Sequence, residues 1–335
     1  MSRTNPIGVA EIEAAQGTIA GTVHRTRMER STDLSNRLGV PVHLKLEHHQ
    51  RTGSFKLRGA TNAVLSLSDE ERKRGVVGVS TGNHGRGLAY AARQNGVRCI
   101  VAMSELVPQN KIDGIRAQGA EVRIIGCSQD DAQIEVDRLV AEEGMTMIPP
   151  FDHPGIIAGQ GTLGLELAED LPDLTTVLVQ LSGGGLISGV AAALKARLPE
   201  VRVIGVSMER GAAMFECQRV GKPMIVPELT TLADSLGGGI GLDNEYTFAI
   251  TRDLVDDIIL VSEAEIAQAI RHAYWQEHQI IEGSGAVGIA ALLSGKVKPD
   301  GPTAVILSGG NIDMNLHHRI ISGEDVDVTQ TTEEG

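Results

Sequence analysis

The sequence predicts an α/β fold: two doubly wound parallel-sheet domains with a cleft between them. Three observations carry that expectation. From about residue 41 onward, short apolar runs rich in Val and Ile alternate with longer helical patterns, and turn glycines separate them. The alternation halts at Pro149-Pro150 and restarts, which implies two units. Only 2% of the residues are aromatic against 41% hydrophobic, so the core must be built from aliphatic side chains packed between strands and helices.

The elements follow in order. The run PVHLKLEH (41–48) reads as a strand, and SFKLRGATNAVLSL (54–67) as a helix capped at Ser54 or just before it. Strand GVVGVS (75–80), a helix at 83–95, strand RCIVAMS (98–104), a helix over 109–118, strand AEVRIIG (120–126), a helix at 129–143 and MTMIPP (145–150) complete the first series. Strand–helix–strand units of this length imply parallel pairing through crossover helices. The second series has a helix over 155–170, strand TVLVQLS (176–182), a helix over 187–198, strand VRVIGVS (201–207) and a helix from about 210. The tract 221–247 is rich in Gly and Pro and lacks periodicity. DDIILVS (256–262), EAEIAQAIRHAYWQEHQ (263–279), SGAVGIAALLSG (284–295) and TAVILSGG (303–310) close the pattern, and a polar tail (326–335) is expected to fray.

Composition excludes several function classes. Thirty Lys and Arg stand against 43 Asp and Glu, a formal charge of −13, which disfavours nucleic acid as a partner. No stretch approaches the roughly 20 apolar residues of a membrane span, and the N-terminus lacks a signal-peptide core. The cysteines, Cys99, Cys127 and Cys217, are odd in number and far apart, so neither a disulfide framework nor a zinc site is implied. A reducing cytoplasm is the expected setting. His317 and His318 are adjacent and point apart on a helix, which argues against a shared metal.

Chemistry is expected where strands end. VSTGNHGRG (79–87) offers hydroxyls, an amide and exposed backbone N–H groups at a helix start, a nest suited to a carboxylate, although plain N-capping explains it equally. In LSGGGLISG (181–189) three glycines let the chain approach an anion at a helix N-terminus. It lacks the Walker lysine, and Ser188 stands where the dinucleotide fingerprint needs its third glycine. Glu209, at the end of the next strand, keeps a nicotinamide-binding unit as an alternative. VILSGGNID (305–313) delivers Ser308 to the same edge. Lys56, in RTGSFKLRGA (51–60), is by itself a surface charge like most lysines.

Five segments in this order, GSFKLRGA, STGNHGRG, FDHPGIIAGQGT, SGGGLISG and LSGGNID, resemble the fold-type II pyridoxal-phosphate enzymes of the threonine dehydratase and serine racemase branch, whose fold is tryptophan synthase β-like. The resemblance runs from about residue 15 to 320. LADSLGGGIGLDN (232–244) further resembles the dehydratase-like enzymes of hydroxyectoine utilisation. It implies a discontinuous large domain (1–73 and 149–325) that binds the cofactor, a small domain (74–148), and a homodimer or homotetramer. Lys56 matches the lysine that binds pyridoxal phosphate covalently and moves the substrate α-proton. Phe55 matches the residue packed on the pyridine ring, and Asn83 the amide at the ring hydroxyl. Gly183, Gly184, Gly185 and Leu186 match the phosphate cup. Ser308 matches a hydroxyl facing the ring nitrogen, which leaves that nitrogen largely neutral. Ser80, Thr81, Asn83 and His84 match the carboxylate-binding loop for a small amino-acid substrate.

The implied activity is β-elimination of water from a small β-hydroxy amino acid, giving a 2-oxo acid and ammonia. The alternatives are a serine or hydroxyaspartate racemase-dehydratase and, from another class, an NAD-dependent oxidoreductase. Two departures matter. The racemases' opposite-face serine is Thr81 here, which puts racemisation in doubt. Relatives also hold Mg²⁺ or Ca²⁺ with residues matching Glu209 and the Ala213 carbonyl, but the third ligand position is Phe215, with Glu216 adjacent. That leaves the metal site shifted or absent.

Overall fold

The computed structural model describes residues 7–80, 82–107, 109–326 and 328. The chain opens with α1 (Val9–Ile19), β1 (Met28–Ser31), α2 (Thr32–Leu38), β2 (Val42–Lys45), α3 (Lys56–Leu65) and α4 (Asp69–Arg74). Next come β3 (Val76–Val79), α5 (Asn83–Gln94), β4 (Cys99–Met103), α6 (Gln109–Arg116), β5 (Glu121–Ile124), α7 (Gln129–Glu143) and β6 (Thr146–Met147). The remainder holds α8 (Pro154–Asp170), β7 (Thr176–Gln180), α9 (Gly185–Arg197), β8 (Arg202–Met208), α10 (Ala213–Val220), α11 (Thr247–Leu254), β9 (Asp257–Val261), α12 (Glu263–Trp275), α13 (Gly283–Leu293), β10 (Thr303–Ile306) and α14 (Met314–Ile321).

The strands form two sheets, one ordered β1-β2-β10-β7-β8-β9 and the other β5-β4-β3-β6. The smaller is parallel throughout. In the larger, every pairing from β2 across to β9 is parallel. The expectation of purely parallel sheets needs one correction, because β1 runs antiparallel on the edge beside β2. The reason is length. A parallel crossover takes roughly a dozen residues or more, and α2 with its left-handed Gly39 cap is a seven-residue helix that turns the chain straight back. Most of the expected fraying tail (326–335) lies outside the described residues.

A second correction concerns the start of α3. Its N-cap is Phe55, in helical conformation and without a side-chain cap; the Ser54 hydroxyl is buried without a partner. The turn is pinned from elsewhere. Phe55 N–H donates to the Ser308 carbonyl at 3.0 Å, and Gly310 N–H donates to the Gly53 carbonyl at 2.9 Å. Ser54 and Gly309 form an antiparallel bridge. Gly53 has φ +76, and a Cβ there would come within 2.5 Å of Asn311 Oδ1, so only glycine fits.

Behind the turn, Arg58 anchors α3. The residue is 1% exposed and its guanidinium donates to both oxygens of Glu47 at 2.8 Å and to Glu166 at 2.7 and 2.9 Å. Lys45, fully buried, adds a second cation 2.9 Å from Glu166. Burial opposes charge on Glu47, yet the Arg58 guanidinium beside it holds its carboxyl below the usual range. On its other side α3 packs Ala60, Ala63 and Val64 with Leu88 and Ala89 of α5. One helix therefore bridges the two sheets at the point where Lys56 sits.

Candidate active site

A cleft of about 340 Å³ opens where β3, β7 and β10 end, the side on which ligands bind in open α/β sheets. Phe55, Lys56, Ser80, Asn83, His84, Gly183, Gly184, Gly185, Leu186 and Ser308, all expected site residues, line it. Thr81 lies outside the described residues. Glu209 and Ala213 do not line the cleft, and with Glu209 the motivation for a nicotinamide unit leaves the site.

Lys56 is half-buried at the first position of α3, and its Nζ donates to the Pro150 carbonyl at 2.7 Å. Burial pushes its ammonium down to about 8, which raises the fraction of free amine near neutrality. The side chain lies over the Phe55 ring, 5.4 Å from the centroid. Ser308 is 3% exposed and reaches the cleft on the strand-end loop that hydrogen-bonds Phe55.

Opposite, α9 begins at Gly185, and Gly184 is left-handed at φ +89 as its cap. A Cβ at Gly183 would lie 2.4 Å from Phe151 Cγ, and one at Gly184 2.9 Å from Met214 Cε. Side chains are thus excluded from this turn, and the first amides of α9 face the cleft with the positive end of the helix dipole.

The loop after β3 is organised by Ser80. Its Oγ accepts from Gly85 N–H at 2.8 Å and Gly82 N–H at 3.2 Å, leaving its own proton free to donate. His84 Nε2 lies 2.8 Å from the Ile148 carbonyl. A carbonyl only accepts, so Nε2 carries the proton, and burial followed by the nearby Lys56 pushes the ring down to about 3. The imidazole is neutral and held, and its backbone N–H is what it offers a ligand. Asn83 donates from Nδ2 to Glu282 Oε1 at 2.7 Å and accepts from Asn311 Nδ2 at 2.6 Å. Arg86 Nη1 reaches Asn311 Oδ1 at 3.0 Å.

Sequence reasoning missed Glu282 and Ser284. Glu282 is 4% exposed and lines the cleft as the N-cap of α13. Burial, with the Asp234 charge adding to it, pushes its carboxyl up to about 7. Ser284 also lines the cleft, and its buried hydroxyl has no partner. The signal in the sequence was a lone acid opening the small-residue run EGSGA (282–286). At the mouth, Lys111 of α6 pairs with Asp234.

Among known proteins, the family model described as "Pyridoxal-phosphate dependent enzyme" matches residues 19–309. The chain belongs to the pyridoxal-phosphate dependent enzymes. Within that family it is 58% identical, over the whole length of both chains, to a Sinorhizobium fredii protein provisionally named a threonine dehydratase. It is 43% identical over 316 residues to the L-threonine ammonia-lyase of Thermotoga maritima, covering 94% of this chain and 78% of that one. Among solved structures, maize serine racemase superposes with a TM-score of 0.89 at 34% identity, covering 94% of this chain and 97% of that one. The site suits the family's cofactor. A desolvated lysine faces a side-chain-free helix start across the cleft, and two buried lining atoms, Ser284 Oγ and Gln180 Oε1, have no partner among the described residues.

Proposed function

We propose that this protein is a pyridoxal-phosphate dependent dehydratase that eliminates water from a small β-hydroxy amino acid of the threonine or serine type, releasing a 2-oxo acid and ammonia. The observation that carries the reading is Lys56. It is a half-buried amine with its pKa lowered to about 8, held between the Pro150 carbonyl and the Phe55 ring and facing the glycine-bounded start of α9. When bound, the cofactor supplies the electron sink for the pair left behind by the α-proton. Lys56 anchors it and then, as a free amine, takes that proton. The amides of Gly183, Gly184, Gly185 and Leu186 would hold its phosphate, Phe55 would pack on its ring, and Asn83 would meet the ring hydroxyl. Ser308 would offer the ring nitrogen a hydroxyl rather than an acid, which would keep the sink shallow and favour loss of a β-leaving group. Ser80, Thr81, Asn83 and His84 orient the substrate carboxylate, chiefly through backbone N–H groups. This is catalysis by positioning and fixed dipoles.

Threonine, serine, 3-hydroxyaspartate and a hydroxylated diaminobutyrate-type acid, as in hydroxyectoine catabolism, all suit this chemistry. Segments 151–155 and 233–244, which contribute Phe151 and residues 234–239 to the lining, are where the choice is made. We also read the protein as a cytoplasmic homodimer or homotetramer, in which 74–148 forms a small domain against 1–73 and 149–325. No helix among the described residues is long and apolar enough to cross a membrane.

Purified protein is expected to be yellow, and borohydride should bleach the visible band. A panel of β-hydroxy amino acids assayed for 2-oxo acid release identifies the substrate. Lys56→Ala should abolish turnover, and near-normal activity in that variant would remove Lys56 from the mechanism. A second reading, serine racemisation, is favoured by the likeness to maize serine racemase, and it turns on Thr81.

A further inference from the structure

The residues expected to hold a divalent cation do not form a ligand set. Ala213 opens α10, so its carbonyl lies in the first helical turn. Glu216 is paired with Arg219 at 2.8 Å. Among the described residues, no group of three or more His, Cys, Asp or Glu side chains could hold a metal ion. What Glu209 meets instead is an ammonium. Lys296, on the turn after α13, donates to Glu265 Oε2 at 2.7 Å, to the Leu260 carbonyl at 2.9 Å and to Glu209 Oε1 at 3.2 Å.

The stoichiometry of this corner is complete. An ammonium has three protons, and three oxygens from three separate elements receive them. The distances are those of ordinary N–H···O hydrogen bonds. Each acceptor is fixed by its own element. Glu209 N–H donates to the Val261 carbonyl at 2.9 Å, extending the β8–β9 ladder. Glu265 also accepts from Ser262 N–H at 2.7 Å as part of the capping box of α12. The corner is in turn tied to the segment that borders the cleft. Arg210, next to Glu209, donates to the Thr230 carbonyl at 2.8 Å, and Glu263 accepts from Leu232 N–H at 2.7 Å.

We propose that Lys296 Nζ is the resident cation of this corner, a covalently tethered replacement for a divalent ion at Glu209, so that the enzyme needs no such ion. A tethered ammonium cannot be removed by a chelator, and it already engages one oxygen of each carboxylate that faces the corner.

The test is run on the holoenzyme with two readouts, the melting temperature and the rate of ammonia release. Wild type is expected to keep both unchanged in excess EDTA and in millimolar magnesium or calcium chloride. Lys296→Ala leaves two carboxylates facing each other, and its melting temperature should fall by about 2 °C. Calcium or magnesium chloride should restore that loss by filling the vacated position. Lys296→Arg keeps a cation and should resemble wild type without added salt. A wild type whose melt drops in EDTA and recovers with either ion would overturn the proposal. So would a Lys296→Ala melt that divalent ions leave untouched. The melt does not depend on the substrate reading, so failure of the dehydratase assignment and failure of this proposal are distinguishable.

Discussion

Glu282→Gln isolates the one carboxyl that the cleft holds near neutrality. Its pKa is raised from 4.5 to about 7 by burial and then by Asp234. Between those values the folded protein binds the proton and the unfolded chain does not. Stability therefore falls as pH rises from about 4.5 to 7 and levels off above. At about 1.4 kcal/mol per unit, integration from pH 5 to pH 8 gives a loss of about 2–3 kcal/mol in wild type. Glutamine does not titrate, but it supplies one acceptor where Asn83 Nδ2 and Asn311 N–H approach two carboxylate oxygens. One donor left without an acceptor costs about 1–3 kcal/mol at every pH. The variant should accordingly be weaker than wild type at pH 5 and close to it at pH 8. For a chain of 335 residues, the difference between the two melting temperatures should change by about 3–4 °C across that range. Thermal melts of both proteins at pH 5, 6, 7 and 8 measure it. Parallel curves for the two proteins would refute the argument, because the fixed hydrogen-bond cost alone produces no slope.

Arg58→Met leaves Glu47 in the core without its ion-pair partner and Glu166 with Lys45 alone, and should lower stability by about 3–5 kcal/mol, read as a shift in urea midpoint; a loss below about 1 kcal/mol would mean that the network is not carried by Arg58. Ser308→Asp should damage elimination more than cofactor retention, seen as a fall in kcat with the visible band preserved, and unchanged lyase kinetics would take Ser308 out of the mechanism. Wild type should interconvert L- and D-serine little, because a threonine hydroxyl is weakly basic and its methyl group restricts rotamers. Thr81→Ser should raise racemisation relative to ammonia release by chiral chromatography, and substantial D-serine from wild type would contradict this.

Periodicity exposed the parts of the fold that repeat it. The apolar runs at β3, β4, β7 and β8 were legible because both faces of a parallel strand are covered and the sequence must be continuously aliphatic. β1 was not, since MERS is a half-exposed edge strand with no apolar alternation. α1 did carry a weak stripe, Ile12, Ala15 and Ile19, and α11 is only eight residues long and begins where the Gly- and Pro-rich tract ends. The site was readable where its chemistry is backbone chemistry, as in the 183–186 turn and the loop opened by Ser80. It was unreadable where burial decides. Nothing local in IIEGSG distinguishes Glu282 from a solvated acid, and its raised affinity for a proton comes from burial in the cleft and then from Asp234, against the opposing hydrogen bond from Asn83. The cap of α3 failed for the same reason, because the partners of that turn are residues 308–310.

The position of β10 fixes when during synthesis this enzyme becomes an enzyme. β10 sits inside the larger sheet, with Thr303 beside Val42 of β2 on one flank and Thr176 of β7 on the other. Strands about 260 residues apart in the chain are thus immediate neighbours. While the ribosome is still working through the middle of the message, β2 has β1 on one edge and an open ladder on the other. The turn that carries Lys56 then lacks the Ser308 and Gly310 backbone that shapes it. The smaller sheet, contiguous from β3 to β6, can close early; the larger one waits for its central strand. Nascent chains arrested before residue 303 should contain the lysine yet bind no cofactor, and the exposed edge of β2 is where such chains would meet a chaperone or one another.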